Sequence, residues 1–318
     1  MNDEYDDEYD DELEPNEPET TTTTSKKPKT AKKNEEGQAA SNADEPSAKR
    51  AKSKCGTCKL STCVMGKKCP LYKEYGDPVP PDATLVVPEG AAITVFDLEL
   101  NEDGDDVFVN EVGAVTTSFS SGEWRNLPDE FKEVTNEELG WWGKQHCKGL
   151  DEERKTSEQG FTVVHHKFMN HIKKHKTEYL AAHGTLATDA RVMVKAGRRC
   201  GIDVIAEWKA AGIKGIADFM RIIPTYKINE LRHPGGKSVL SNGALYIKAT
   251  KGVTMSANGL TEHRALDDSK STLEWVTGLP EIKEVMFGLP RRPTAISIDA
   301  LGAYYAQKRK HKEFIAGR

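Results

Sequence analysis

Ala92-Ile93-Thr94-Val95-Phe96-Asp97-Leu98-Glu99-Leu100 is the stretch on which the reading of the fold turns. It is rich in β-branched and aromatic residues, as are Thr84-Leu85-Val86-Val87 before it and Val107-Phe108-Val109 after it, so short strands are expected here. Asn101-Glu102-Asp103-Gly104-Asp105 reads as a hairpin turn between two of them. Its carboxylates lack the ligand spacing and terminal glutamate of a calcium loop. Val112 to Phe119 adds a further strand, which gives a small antiparallel β segment over residues 83–122.

Downstream, residues 123–318 read as a mainly helical domain with one β-hairpin, so the fold class is α+β. Pro128-Asp129-Glu130-Phe131-Lys132-Glu133-Val134 reads as a short helix with proline near its start. A second helix is expected to begin at Thr135, and one ring of the pair Trp141-Trp142 should enter a core. From Phe161 to His183, Val164, Phe168, Ile172, His175 and Tyr179 recur at helical spacing, with Lys167, Lys173 and Lys174 on the rest of the circumference. His171 and His175 stand at i and i+4, a spacing that permits joint metal ligation together with His165 or His166. The glutamate that completes a metalloprotease motif is missing.

Leu186 to Arg199 reads as a helix that ends in Arg198-Arg199. Two further helices, 202–212 and 213–223, flank Gly212 in a helix-turn-helix outline with few base-reading side chains. His233-Pro234-Gly235-Gly236-Lys237-Ser238 ends like a phosphate loop but lacks its first glycine, which argues against an NTPase. Residues 238–255 read as a hairpin with Lys251-Gly252 at the turn; Tyr246 and Lys248 on one face are candidates for stacking a base and holding a phosphate. Helices follow at 269–276 and 280–286. Ser297 caps a last one, 298–314, whose Lys308-Arg309-Lys310 suit a helix C-terminus.

Upstream, residues 1–54 form an acidic and then basic tail with too little apolar surface to fold. Lys32-Lys33 and Lys49-Arg50-Ala51-Lys52 resemble the two halves of a nuclear import signal, which implies an import receptor as a partner. Cys55, Cys58, Cys63 and Cys69 follow, four of the six cysteines, in the pattern Cys-x2-Cys-x4-Cys-x5-Cys. Four thiolates over residues 55–76 suit a zinc module, with an iron–sulfur cluster or a disulfide pair as alternatives. The acidic N-terminus lacks the pattern of a secretory leader, so a reducing compartment is expected and disulfides lose ground. Lys54, Lys59, Lys67 and Lys68 surround these cysteines as a basic knob.

The chain has 318 residues, a net charge of −5 and 37% hydrophobic residues. Its mean hydropathy is −0.63, and no apolar run has the length of a membrane span. The charge is segregated, so the overall acidity does not exclude polyanions. Lysine and arginine gather in patches: the tail, the cysteine knob, Lys167 with Lys173 and Lys174, Arg198-Arg199 and the C-terminal helix. Dispersed cations of this kind contact phosphates without choosing sequence. The sequence therefore reads as a zinc-containing, nuclear nucleic-acid-binding protein, a transcription or replication factor or a genome-packaging protein, with DNA or RNA as partner. The alternatives are a coat or nucleocapsid subunit, forming a homo-oligomer around a genome, and a metal-dependent nuclease using the histidines near His171. No pair of carboxylates stands out at a catalytic spacing.

Overall fold

The computed structural model describes residues 80–103, 106–120, 123–186, 188–231 and 241–316. The tail, the four cysteines, the import-type clusters (Lys32, Lys33, Lys49, Arg50, Lys52), the lysines at 54, 59, 67 and 68 and the glycine-rich stretch at 233–238 lie outside these residues.

Three long strands open the fold: β1 (Ala92–Asp103), β2 (Asp106–Ser120) and β3 (Glu123–Val134). β1 and β2 pair antiparallel up to Asp103 opposite Asp106, which places the hairpin where the sequence put it. β3 replaces the helix expected from Pro128. It lies at the sheet edge, and its ladder with β2 shifts register between Val115 and Thr117, opposite the stretch that holds Pro128. Proline is tolerated at such a place because the missing N–H is not required by a neighbour strand. The boundary expected after residue 122 falls within the β2–β3 pair.

Helices α1 (Trp141–His146), α2 (Leu150–Thr156) and α3 (Phe161–Lys174) follow. β4 (Tyr179–Ala182), α4 (Asp189–Arg199) and α5 (Val204–Ala210) come next, then β5 (Gly215–Asp218) and α6 (Phe219–Thr225). The chain continues through α7 (Asn242–Ala249), α8 (Ala265–Gly278), α9 (Pro280–Phe287), β6 (Ala295–Ser297) and α10 (Ile298–Ala316). Among the described residues the six strands form one sheet in the order β3-β2-β1-β4-β5-β6, so further strands occur where a mainly helical domain with one β-hairpin was expected. Among the described residues no helix is long and apolar enough to cross a membrane.

Three misread elements share a cause: a short apolar run has no period that tells strand from helix. Tyr179–Ala182 and Gly215–Asp218 are fully buried strands, which removes the helix-turn-helix outline. Residues 242–249 are helical instead of a hairpin, because the Ser241 hydroxyl accepts the Ala244 N–H at 3.2 Å and caps the first turn. Tyr246 is 2% exposed, its hydroxyl accepting from Asn258, so it offers no face to a base. Trp141 and Trp142 both remain in solvent, at 73% and 42% exposure, instead of sending one ring inward.

Cores lie on both faces of the sheet. Phe96 and Leu98 of β1 pack with Phe168, Ile172, Met193, Trp208 and Leu301 on one side. Ile93 and Val95 pack with Phe219, Trp275, Ile282 and Met286 on the other. The alternation is that of a strand with two buried faces. Ser297 caps α10 as expected, its hydroxyl accepting from the Ala300 N–H at 3.1 Å.

Candidate metal centre

β1 runs parallel to β4, and β4 to β5, so the carboxyl ends of these strands share one edge. β1 has an antiparallel neighbour on one side and a parallel one on the other, and open α/β sheets offer their crevices at such a switch. Past the end of β4, the face of β1 that carried Ile93 and Val95 carries Asp97 and then Glu99. An apolar face thus turns acidic within one strand.

Other elements bring the remaining groups. Asp189 is the first residue of α4, and its carboxylate accepts the Leu98 backbone N–H. Asp268 lies in the first turn of α8, which crosses β2 and β1. α8 approaches so closely at Gly113, the partner of Asp97 on β2, that a Cβ there would overlap the backbone of Ala265 and Leu266. The Ser269 hydroxyl donates to the Gly113 carbonyl at 3.0 Å. The ligand atoms of Glu99, His263 and Asp268 all lie within 4.8 Å of one another.

The loop before α8 is held by a dense network. Glu111, fully buried on β2, accepts two bonds from the Arg264 guanidinium at 3.0 and 2.9 Å and the Ala265 N–H at 3.0 Å. Arg264 also donates to Glu153 and to the Lys148 carbonyl. His263 has φ of +59°, an uncommon conformation for a non-glycine residue, and its N–H donates to Asp268 Oδ2 at 3.0 Å. Such strain persists where the surroundings over-determine it, often at functional sites. Asn242 of α7 donates to the other Asp268 oxygen at 3.3 Å and accepts from Trp275 Nε1 at 2.7 Å.

Electrostatics mark the same place. Burial, and then the charges of Asp189, Asp268, Glu99 and Glu111, hold the Asp97 carboxyl well above the usual carboxylate range. Burial likewise raises Glu99, with the Asp268 charge adding to it, and lifts Asp189 and Asp268 to about 7. Cys147, at the end of α1, donates its S–H to Glu99 Oε2 at 3.2 Å; burial and the Glu99 charge keep it a thiol.

Four carboxylates crowded together repel one another when ionised. Hard oxygen donors at this density, with one imidazole beside them, fit a hard divalent cation such as Mg²⁺ or Mn²⁺. A cation there would draw the carboxylates back to their ionised form.

The residues singled out from sequence do not meet here. Lys167 pairs with Glu133 at 2.9 Å and Lys174 with Asp129, both on β3. Arg199 pairs with Glu137 and lies over the Phe108 ring, and Lys308 lies over Tyr304. Lys173, Arg198, Arg309 and Lys310 are exposed. On α3 the His171 and His175 rings stay adjacent at 4.4 Å, but His171 faces the Thr116 hydroxyl at 3.0 Å, and His165 turns away to Glu207 at 3.0 Å. Burial holds His171 neutral, its pKa down to about 4. The missed signal was the acidic turn of an otherwise apolar strand face at Asp97 and Glu99.

No protein-family model and no curated protein matches the sequence. Among solved structures, the chain is similar to a 3′-exonuclease described in 3′-end-specific recognition of a histone mRNA stem-loop (15% identity, TM-score 0.45, 65% of this chain and 70% of that one). It is also similar to a full-length 3′-exonuclease (14% identity, TM-score 0.46, 66% of this chain and 91% of that one). A third is the zinc-bound form of an E. coli exonuclease I complex with single-stranded DNA (14% identity, TM-score 0.44), of which the chain spans 42% while 61% of its own length is covered. At this degree of similarity the chemistry has to be read from the chain's own side chains.

Proposed function

We propose that the chain is a divalent-metal-dependent phosphodiesterase that trims nucleic-acid strands from the 3′ end. The observation that carries this reading is the convergence of Asp97, Glu99, Asp189, Asp268 and His263 at the carboxyl ends of the parallel strands. Asp97, Glu99, Asp189 and Asp268 would hold the cations, which supply Lewis-acid stabilisation of charge on phosphoryl oxygens.

The chain's own groups define the rest. β1 fixes Asp97 and Glu99 on a rigid strand, while the Leu98 N–H orients Asp189 and the Asn242 side chain orients Asp268. The His263 ring stands beside these carboxylates and takes the proton of the attacking water. The water oxygen bonds to phosphorus, and the bond from phosphorus to the 3′-oxygen of the preceding nucleotide breaks. That oxygen takes a proton from solvent. The products are a nucleoside 5′-monophosphate and a shortened strand with a free 3′-hydroxyl. In the same proposal the four-cysteine stretch holds zinc, and the basic tail ahead of it contacts nucleic acid in a nucleus.

Single-stranded oligonucleotides labelled at the 5′ end, incubated with Mg²⁺ or Mn²⁺, should yield a ladder of single-nucleotide steps. EDTA and Asp189→Asn should each abolish it. Internal cuts, or release of the label as a mononucleotide, would remove the stated polarity. No hydrolysis with either metal overturns the reading.

A further inference from the structure

α1 is tied to β1 at both ends and touches the metal centre between them. Gly140, which precedes it, lies so close to Asn101 that a Cβ would overlap the Asn101 side chain. Cys147, which follows it, is bonded to Glu99. In the middle, the Trp142 ring meets the His263 ring edge-on at 4.9 Å. His146 stacks on Trp142 at 4.6 Å and also meets the His263 ring at 6.1 Å, so the three rings close on one another beside the candidate proton acceptor. Trp142 nevertheless keeps 42% of its surface exposed.

A tryptophan ring held against the carboxylate centre with 42% of its surface bare is an uncommon exposure of apolar area, and such surfaces mark interaction sites. Its position says what it meets. A phosphodiester seated at Asp97, Glu99 and Asp268 carries a base on each side, one sugar away from the phosphate. Bases offer flat π-faces, and stacking on an aromatic side chain is tolerant of sequence.

We propose that the Trp142 ring forms a stacking ledge for the terminal base of the substrate strand. The ledge rests on the phosphodiesterase reading for its biological use, but not for its detection. A base is the committed occupant; a segment of the chain itself is the competing one.

The experiment uses the full-length chain, Trp142→Ala and the conservative Trp142→Phe. Titration with oligothymidylate in EDTA should quench tryptophan fluorescence saturably in the parent, and binding of a dye-labelled strand, read by anisotropy, should weaken about ten-fold in Trp142→Ala. With metal, Trp142→Ala should raise KM for the oligonucleotide by a similar factor, while Trp142→Phe, which keeps a π-face, stays within about two-fold of the parent. Mn²⁺ affinity without oligonucleotide should be equal in parent and Trp142→Ala, which shows the carboxylate centre intact. Equal KM in parent and Trp142→Ala, absence of quenching, or tryptophans already shielded from acrylamide in the free chain each overturns the ledge. Quenching without hydrolysis overturns the phosphodiesterase reading and leaves the ledge standing.

Discussion

His171 and His263 both stand close to oxygen-bearing side chains, and the two places behave in opposite ways. At His171 the imidazole meets Thr116, whose hydroxyl meets Thr94, whose hydroxyl meets Thr177, at 3.0, 2.9 and 2.7 Å. The hydrogen-bond partners are neutral hydroxyls, the groups are buried and the chain of bonds links α3 to β1 and β2. The carboxylate nearby, Asp129, beside His175, is already paired with Lys174. At His263 the neighbours are carboxylates that raise one another's proton affinity. The first arrangement is stable as it stands, and the second is relieved only by protons or cations. A histidine near polar groups is therefore not a site by itself. Uncompensated like charge is what separates the two.

The largest effect that would break this comparison is on turnover. Asp97→Asn should lower phosphodiester hydrolysis by about 10²–10³-fold, the usual cost of removing one group that stabilises charge in the transition state. Its melting temperature without metal should stay equal or rise, because one repelling carboxyl is gone. His171→Ala should do the reverse: hydrolysis per folded molecule within about two-fold, and stability down by about 1–3 kcal/mol for the orphaned hydroxyl and lost packing. Initial rates and thermal unfolding on the same samples read both. Loss of turnover in His171→Ala with an unchanged fold would return the centre to α3.

Next in size is the support beneath the loop. Glu111→Ala leaves the Arg264 guanidinium without its two-bond partner in a buried place and removes the acceptor of the Ala265 N–H. Breaking a buried pair from one side costs about 3–5 kcal/mol. Denaturant unfolding should show a loss of this order, with a weakened metal dependence of any residual hydrolysis. An unchanged midpoint would mean that α8 is held on the sheet without the pair.

The smallest effects, but the ones that separate the two regions by sign, are in pH. His171 has a depressed pKa, so the unfolded chain takes up a proton first as pH falls. Its contribution is present above about 6.5 and is lost as pH drops towards about 4, an effect on the order of 3 kcal/mol at most. Asp189 and Asp268 have raised pKa values, so the unfolded chain releases protons first as pH rises. Without metal, their contribution declines between about pH 4 and about pH 7. Melting curves over this range should show the decline in EDTA and lose it in saturating Mg²⁺ or Mn²⁺, while the acid-side loss from His171 persists in both. Identical curves with and without metal would contradict a cation at the carboxylates.

Much of the scaffold was open to reading residue by residue. The β1–β2 hairpin followed from β-branched runs around Gly104, the buried stripe of α3 from Val164, Phe168 and Ile172, and the start of α10 from Ser297. β3 was not, because Pro128 is a helix-start signal unless the strand lies at an edge, and edge position is a property of the whole sheet. β4 and β5 were not, because four buried residues carry no period.

The centre was the hardest part to see, since its members lie at positions 97, 99, 189, 263 and 268 and no local pattern links them. The chain alone determined which segments are apolar, where the hairpin turns and that acid interrupts an apolar strand face at Asp97. The tertiary structure alone decided that α8 can lie against Gly113, that α4 starts at the end of β1 and that the basic residues of α3 face β3 instead of the carboxylates. The physical reason is range. Propensity and periodicity act over a few residues, whereas the repulsion that defines this centre exists only after separate segments have been packed together by two apolar cores.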